Sequence, residues 1–283
     1  MLKQRVITAI VLLLILLPAL FYPSPAPFCA VALILIGAGG WEWGLLNGLK
    51  QVGAVLVALA CCVLCLGAWW FGLLQMPFRW PAIWLFAGAF WVLVGTWLLY
   101  GGVPQWGKIN QAVRLIGGVL VLFAAWLAVA QARVIGINYL LSVLLLVWVA
   151  DIFAYFSGRA VGGRIVKEKL APSISPGKSW EGVWGGMAGV VVMALVWHWA
   201  DSAAKADVPS FYSLLFAKGW WLLLIAVLFM AAMSVVGDLV ESLVKRSAGV
   251  KDSSGLLPGH GGVLDRLDAL LPTLPLSMML YSN

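Results

Sequence analysis

Nine stretches of this chain, at about 6–22, 28–46, 52–74, 81–99, 115–132, 140–156, 183–200, 220–236 and 263–280, run for close to twenty residues with almost no charge. The hydrocarbon core of a bilayer is about 30 Å thick and needs roughly 20 apolar residues of α-helix to cross it. Water cannot satisfy backbone amides in that medium, so a spanning segment outside a closed barrel is a helix. The expected fold is therefore all-α: a polytopic integral membrane protein of about nine transmembrane helices, built as one membrane domain over residues 1–283. Composition removes the soluble alternative, since 63% of the residues are hydrophobic and 10% charged, against roughly 45–50% and 25% in soluble domains. The last stretch is the weakest, because Pro272 and Pro275 interrupt it.

The basic residues orient the bundle. With the N-terminus in the cytoplasm, the segments on that side collect 14 of the 18 Lys and Arg residues, leaving Arg79, Arg133, Lys205 and Lys218 on the other. This is the positive-inside pattern, and it places both polar stretches, 158–182 and 237–268, in the cytoplasm. Lys3 and Arg5 ahead of an apolar run could pass for a secretory signal, but no small-residue cleavage site follows and a retained first helix is expected. The net charge of +7 then speaks to topology and anionic partners. Nucleic acid is not expected, because no basic face interleaves with exposed aromatics. Tryptophans near the run ends, among them Trp41, Trp43, Trp80, Trp106, Trp180, Trp220 and Trp221, suit interfacial belts. The four cysteines, Cys29, Cys61, Cys62 and Cys65, all lie inside apolar runs. With no His or second CxxC beside Cys62 and Cys65, helix packing is expected of them rather than metal or redox work.

Two acids interrupt the runs. Asp151 stands near the cytoplasmic end of the sixth, with Tyr155 and Gly158 on the same helix face at i+4 and i+7. Ionisable groups at such depth face a bundle interior or a watery cavity, so Asp151 and Tyr155 read as a site wall. Glu42, in WEWG, reads evenly as such a cavity-facing group or as a structural hydrogen-bonding or interfacial side chain. The loop after the sixth run holds Gly177-Lys178-Ser179, but Pro172 stands where a P-loop needs glycine and no strand precedes it, so a P-loop is rejected. Ser175, Lys178 and Ser179 lie just before the seventh run, where hydroxyls, a lysine and helix amides suit an anion. Capping and topological charge alone would produce the same residues.

The densest polarity falls between Gly237 and Asp268, which holds nine of the 29 charged residues. Asp238, Ser242 and Lys245 follow i, i+4, i+7 with Glu241 adjoining, a stripe that a solvated helix end would also show. Beyond it come Lys251-Asp252 and Pro258-Gly259-His260-Gly261-Gly262, and then Asp265, Arg266 and Asp268 open the last run. Glycines let a backbone approach phosphate closely, and a helix start behind them offers free amides. Asp265 and Asp268, three apart on one expected helical face, repel unless a cation lies between them. Hard oxygen ligands of this kind suggest magnesium. His260 reads as a phosphate or proton-transfer group more readily than as an idle loop residue, and its isolation from other His or Cys argues against zinc.

Ser242, Lys245-Arg246, Lys251-Asp252, Pro258, His260-Gly261-Gly262, Asp265-Arg266 and Asp268 stand in the order and spacing of a known signature. On these residues, with ADIFAYFSGR, SPGKSWEG and WEWG elsewhere, the chain resembles the phosphatidate cytidylyltransferases, or CDP-diacylglycerol synthases, over nearly its whole length. The resemblance implies a reaction of CTP with phosphatidic acid to give CDP-diacylglycerol and pyrophosphate, at the cytoplasmic face of a bacterial inner membrane. It further implies magnesium on Asp238, Asp265 and Asp268, a second cation such as potassium beside it, and a homodimer is left open. Lys245, Arg246, Lys251 and Arg266 would then hold phosphates. His260, Asp252, Gly261 and Gly262 would complete the nucleotide end, with Ser175, Lys178, Ser179 and Ser242 approaching the substrates. Three alternatives stand beside this. A CTP-dependent polyprenol or phytol kinase would pass on the γ-phosphoryl group. A phosphoglycosyl transferase lacks the HGG-x-x-DR-x-D arrangement. A transporter would place its charges at mid-span rather than at one membrane face.

Overall fold

The structure, a computed structural model, describes residues 2–75 and 81–282. Arg79 and Trp80, assigned above to the far side and to an interfacial belt, lie outside the described residues. Secondary structure among the described residues is helical, apart from two isolated bridges, Ala171 with Ser175 and Leu257 with Gly261, that pinch the two polar loops. In chain order the helices are α1 (Leu2–Phe21), α2 (Ala26–Leu46), α3 (Gln51–Trp70), α4 (Pro81–Phe90), α5 (Thr96–Lys108) and α6 (Gln111–Ile135). There follow α7 (Ile137–Val161), α8 (Trp180–Ala204), α9 (Phe211–Lys218), α10 (Trp220–Ser247), α11 (Leu264–Leu267) and α12 (Leu270–Ser282). A π turn at Trp91–Gly95 joins α4 and α5 into one segment, Pro81–Lys108, which bends again where Gly102 takes φ 65° ahead of Pro104.

Among the described residues, eight helical segments are long and apolar enough to cross a membrane, matching the first eight apolar runs. The ninth run is not one of them. It breaks at Asp268 and Ala269 into the four-residue α11 and the 13-residue α12. At 1.5 Å per residue α12 is about 20 Å long, short of the roughly 30 Å hydrocarbon core. Leu271 through Met278 are all buried, against α4, α6, α7 and α10. A helix apolar on every side belongs either in lipid or in a protein interior, and α12 takes the second place.

Small residues set how closely the long helices approach. Gly186 of α8 lies where a side-chain carbon would stand 2.7 Å from the Ala150 carbonyl of α7, so only glycine lets these two helices pack backbone to backbone. Cys61 and Cys65 of α3 are fully buried, with the Cys61 sulfur against Gly40 of α2, which is the packing role expected of the cysteines. By contrast α1 is mostly exposed and rests chiefly on α2. It is pinned at both ends by arginines. Arg133 of α6 donates from Nε to the Leu20 carbonyl (2.9 Å) and from Nη2 to that of Tyr22 (2.5 Å). At the other end Arg5 Nε donates to Gly259 O and Thr8 Oγ1 to Pro258 O, both at 2.9 Å. The longest helix, α10, packs on α5, α8, α9 and α12 and carries its polar residues in its last three turns.

Candidate active site

The ends of α7 and α10 and the start of α8 surround a cleft of about 390 Å³. Asp151, Tyr155 and Arg159 come from α7, Lys178 and Ser179 from the loop into α8, and Asp238 from α10. Ala231, Val235 and Met187 make its inner wall apolar. Lys178 Nζ pairs with Asp238 Oδ2 at 2.6 Å, and Ser242 Oγ donates to Asp238 Oδ1 at 3.3 Å, as the i, i+4 spacing requires. Ser179 is the buried N-cap of α8, its Oγ accepting from Gly182 N. Ser175 belongs to the pinched turn, its amide donating to Ala171 O. Tyr155 is exposed, and its hydroxyl accepts from Arg159 Nη1.

Asp268 reaches the same region because Gly237 has no side chain: the main chain of Asp268 lies where one would stand. Asp268 is within electrostatic range of Asp238 and Asp151, which in turn feels Lys178 and Arg266. Burial, and then the facing charge of Asp238, push the Asp268 carboxyl up to about 8. Its Oδ1 accepts from Ala269 N at 2.7 Å.

Asp265 faces elsewhere. Its Oδ1 meets Lys245 Nζ at 2.5 Å, and its Oδ2 accepts from Ser253 N, Ser253 Oγ and Gly262 N at 2.9, 2.9 and 2.7 Å. Burial alone would raise this carboxyl, but Lys245 and the two amides outweigh it and hold it below the usual carboxylate range. Asp265 Oδ2 is thus taken up by the loop, and Oδ1 is held by Lys245. Lys245, itself buried, also meets Glu241 Oε2 at 2.5 Å, so its ammonium ties α10 to the 251–265 loop.

This bears on a metal. Among the described residues no three His, Cys, Asp or Glu side chains stand close enough together to hold an ion. Asp238 and Asp268 nevertheless fit one as a pair: both are hard oxygen donors, and each bears on the charge of the other, which a divalent cation would relieve. Asp151 lies within electrostatic range of both. Of the three aspartates, Asp238 lines the cleft, Asp268 lies within electrostatic range of both Asp238 and Lys245, and Asp265 is engaged by Lys245 and the loop amides.

The loop itself is hung from a residue left open in the sequence reading. Glu42 of α2 is fully buried. Its Oε1 accepts from Ser254 Oγ (2.5 Å) and Val263 N (2.9 Å), and its Oε2 from Ser253 Oγ (3.1 Å) and Leu264 N (2.7 Å). The other loop is held in the same way, since Glu181 Oε1 accepts from Ile165 N and Val166 N at 2.9 and 3.0 Å. Glu181, Ser253 and Ser254 are residues the sequence did not single out. The one signal was general, that an acid in an apolar run must find donors.

The remaining candidates sit on the loops. Arg246 donates from Nε to Ile174 O and from Nη1 to Val250 O, at 3.3 and 3.2 Å, joining the two loops. Arg266 donates from Nε and Nη2 to His260 O at 3.1 and 2.6 Å, while His260 Nδ1 is buried without a hydrogen-bond partner among the described residues. Gly261 takes φ 79° with Asp265 against it, a backbone reserved for glycine. Lys251 and Asp252 are exposed, and Gly262 donates to Asp265.

Comparison with known proteins accounts for this arrangement. The chain is 40% identical over 280 residues to a phosphatidate cytidylyltransferase of Pseudomonas aeruginosa, covering 97% of this chain and 95% of that one. It is 35% identical to the phosphatidate cytidylyltransferase of Haemophilus influenzae over 313 residues, covering 99% of each. The bacterial relative of that name from Brucella abortus is 34% identical over 82% of this chain and 68% of its own. Residues 3–283 match the profile of the cytidylyltransferase family, and to that family the chain belongs.

Proposed function

We propose that the chain transfers the cytidylyl group of CTP to phosphatidic acid, giving CDP-diacylglycerol and pyrophosphate, at the cytoplasmic face of a bacterial inner membrane. The observation that carries this reading is the two-sided cleft, with Asp151, Asp238 and Lys178 at its mouth and Ala231, Val235 and Met187 within. A lipid phosphate can meet a nucleotide there while the acyl chains stay in hydrocarbon. Family membership and the names of the relatives support the same reaction.

In the proposed reaction a phosphate oxygen of phosphatidate attacks the α-phosphorus of CTP. A new P–O bond forms, the bond between the α-phosphorus and the bridging oxygen breaks, and pyrophosphate leaves. The attacking oxygen is already anionic, so the protein's work is positioning and neutralisation of charge. Lys178 would release Asp238 and turn its ammonium to a phosphate, with Arg266 and Arg159 at the rim. Arg246 also holds the two loops in register by its contacts with Ile174 O and Val250 O, and Arg266 fixes its own loop through His260 O. Magnesium, held by Asp238 and Asp268, would supply the positive charge that steadies the leaving pyrophosphate. Lys245 and Asp265 would act from behind, keeping the 251–265 loop in place.

The test uses purified protein, phosphatidic acid, magnesium, and CTP labelled at either the α- or the γ-phosphorus. Label from the α-position is expected in the lipid and label from the γ-position in pyrophosphate. Transfer of the γ-label to lipid would replace this reading with a CTP-dependent kinase.

A further inference from the structure

The turn that carries His260 is held from outside its own loop, by α1. Each carbonyl from Leu257 to Gly261 has a donor. Those of Leu257 and Gly261 accept from the amides of His260 and Leu257 at 2.8 and 2.9 Å, and that of His260 accepts from Arg266. For the carbonyls between them the donors come from the far end of the chain: Thr8 Oγ1 donates to Pro258 O and Arg5 Nε to Gly259 O, both at 2.9 Å. Arg5 and Thr8 stand three apart, on one face of α1. The contact extends to the main chain. A side-chain carbon at Gly259, where φ is 76°, would stand 2.9 Å from Cγ of Arg5 and 3.2 Å from its amide nitrogen.

This grip is not a by-product of apolar packing. Ile7, Ile10 and Leu14 of α1 are exposed, and the helix rests chiefly on α2, so burial does little to fix its first turns against the loop. What α1 holds bears on the cleft. The carbonyl next to the two it binds is that of His260, which fixes Nε and Nη2 of Arg266. Arg266 is exposed, so its aim depends on the carbonyl that holds it, and it lies within electrostatic range of Asp151. A chain of contacts thus runs from α1 through the turn to a guanidinium at the rim of the cleft.

We propose that Arg5 and Thr8 are positioning residues for cytidylyl transfer: they fix the carbonyls of Pro258 and Gly259 so that His260 O presents Arg266 to the nucleotide. The inference rests on the reaction proposed above. With the grip loosened, a smaller fraction of molecules holds Arg266 in place, and the apparent affinity for CTP falls by that fraction. Saturating CTP selects the ordered turn, so kcat is kept.

Paired variants of the full chain, purified in nanodiscs, test this. Thr8→Val keeps the shape of the side chain and loses the donor, whereas Thr8→Ser keeps the donor. Arg5→Met keeps the length of the stem with a methyl group where Nε stands, whereas Arg5→Gln puts an amide nitrogen there. Both Arg5 variants lose the charge, so a difference between them reports the hydrogen bond. One such bond is worth about two- to tenfold in an equilibrium. Thr8→Val and Arg5→Met should each raise the KM for CTP by about that factor and keep the parent kcat, and Thr8→Ser and Arg5→Gln should return KM to the parent value. A residue that served folding alone would instead lower kcat through the active fraction and leave KM where it was. Hydrogen exchange without substrates should quicken at Leu257 and His260 in Thr8→Val and Arg5→Met, and stay unchanged at Val263 and Leu264, which hang from Glu42. That readout needs no turnover, so a parent that made no CDP-diacylglycerol would refute the reaction while exchange still measured the grip. Parent-like exchange at Leu257 and His260, or quickened exchange with KM unmoved, overturns the inference.

Discussion

Glu42→Ala isolates the contribution of one buried acid to a loop more than 200 residues away in sequence. The substitution removes four hydrogen bonds at once. The hydroxyls of Ser253 and Ser254 can turn elsewhere, and Ser253 Oγ already lies 2.9 Å from Asp265 Oδ2. The amides of Val263 and Leu264 cannot turn. A buried donor without a partner costs about 1–3 kcal/mol, so the two amides together amount to about 2–6 kcal/mol against the ordered loop. At 1.4 kcal/mol per tenfold, that is a loss of roughly 30-fold or more in the population of the ordered state. In Glu42→Gln each carboxylate position still faces one amide, and the new NH₂ opposes one of them. The cost falls to about 1–3 kcal/mol, and roughly a tenfold loss is expected. The assay pairs turnover of CTP and phosphatidic acid with hydrogen exchange at Val263 and Leu264. Turnover and exchange should change in the order parent, Gln, Ala. Parent-like exchange and turnover in Glu42→Ala would refute the reasoning.

Four further outcomes follow from the geometry. Asp268→Asn should reduce turnover at least 100-fold and leave exchange at Ser253 and Gly262 unchanged, whereas Asp265→Asn should speed exchange at those two amides as well; identical behaviour of the two variants in exchange would contradict the division described here. Lys178→Ala should raise the KM for CTP about tenfold or more, measured at saturating phosphatidic acid, because it removes the ammonium paired with Asp238. Gly186→Leu should lower the thermal transition of the detergent-solubilised protein, since its side chain would meet the Ala150 carbonyl. Removal of divalent cations with EDTA should abolish cytidylyl transfer, and magnesium should restore it; full activity in the chelator would remove the metal from the proposal.

Hydropathy located eight of the helices because each run had to be satisfied within itself in an apolar medium. It could not tell α12 from these, since a helix surrounded by protein and one surrounded by lipid present the same uniform surface. Pro272 and Pro275 marked that run as different, but where it goes depends on α4, α6, α7 and α10. The approach of Asp238 and Ser242 followed from helical spacing alone. Asp265 and Asp268 keep their helical spacing, with Asp268 N donating to Leu264 O, but Asp265 is taken up by Lys245 and the amides of its own loop. Lys245 shares the stripe of Asp238, yet it turns to Glu241 and Asp265, a choice made by burial that no periodicity encodes. Glu42 and Glu181 could not be assigned from sequence because their partners are main-chain amides, which every residue carries.

The suspension of the 253–264 loop from Glu42 sets an order on biogenesis. Its donors lie 211 to 222 residues downstream, and chains are synthesised at about 5–20 residues per second, so α2 enters the membrane with an unanswered carboxylate for about 10–40 s. During that interval the nascent chain depends on its position near the membrane surface, or on a chaperoning insertase, to keep Glu42 hydrated. A ribosome stalled before Ser253 would therefore leave a product with an unsatisfied acid in its second helix, a mark by which membrane quality control could recognise it as unfinished.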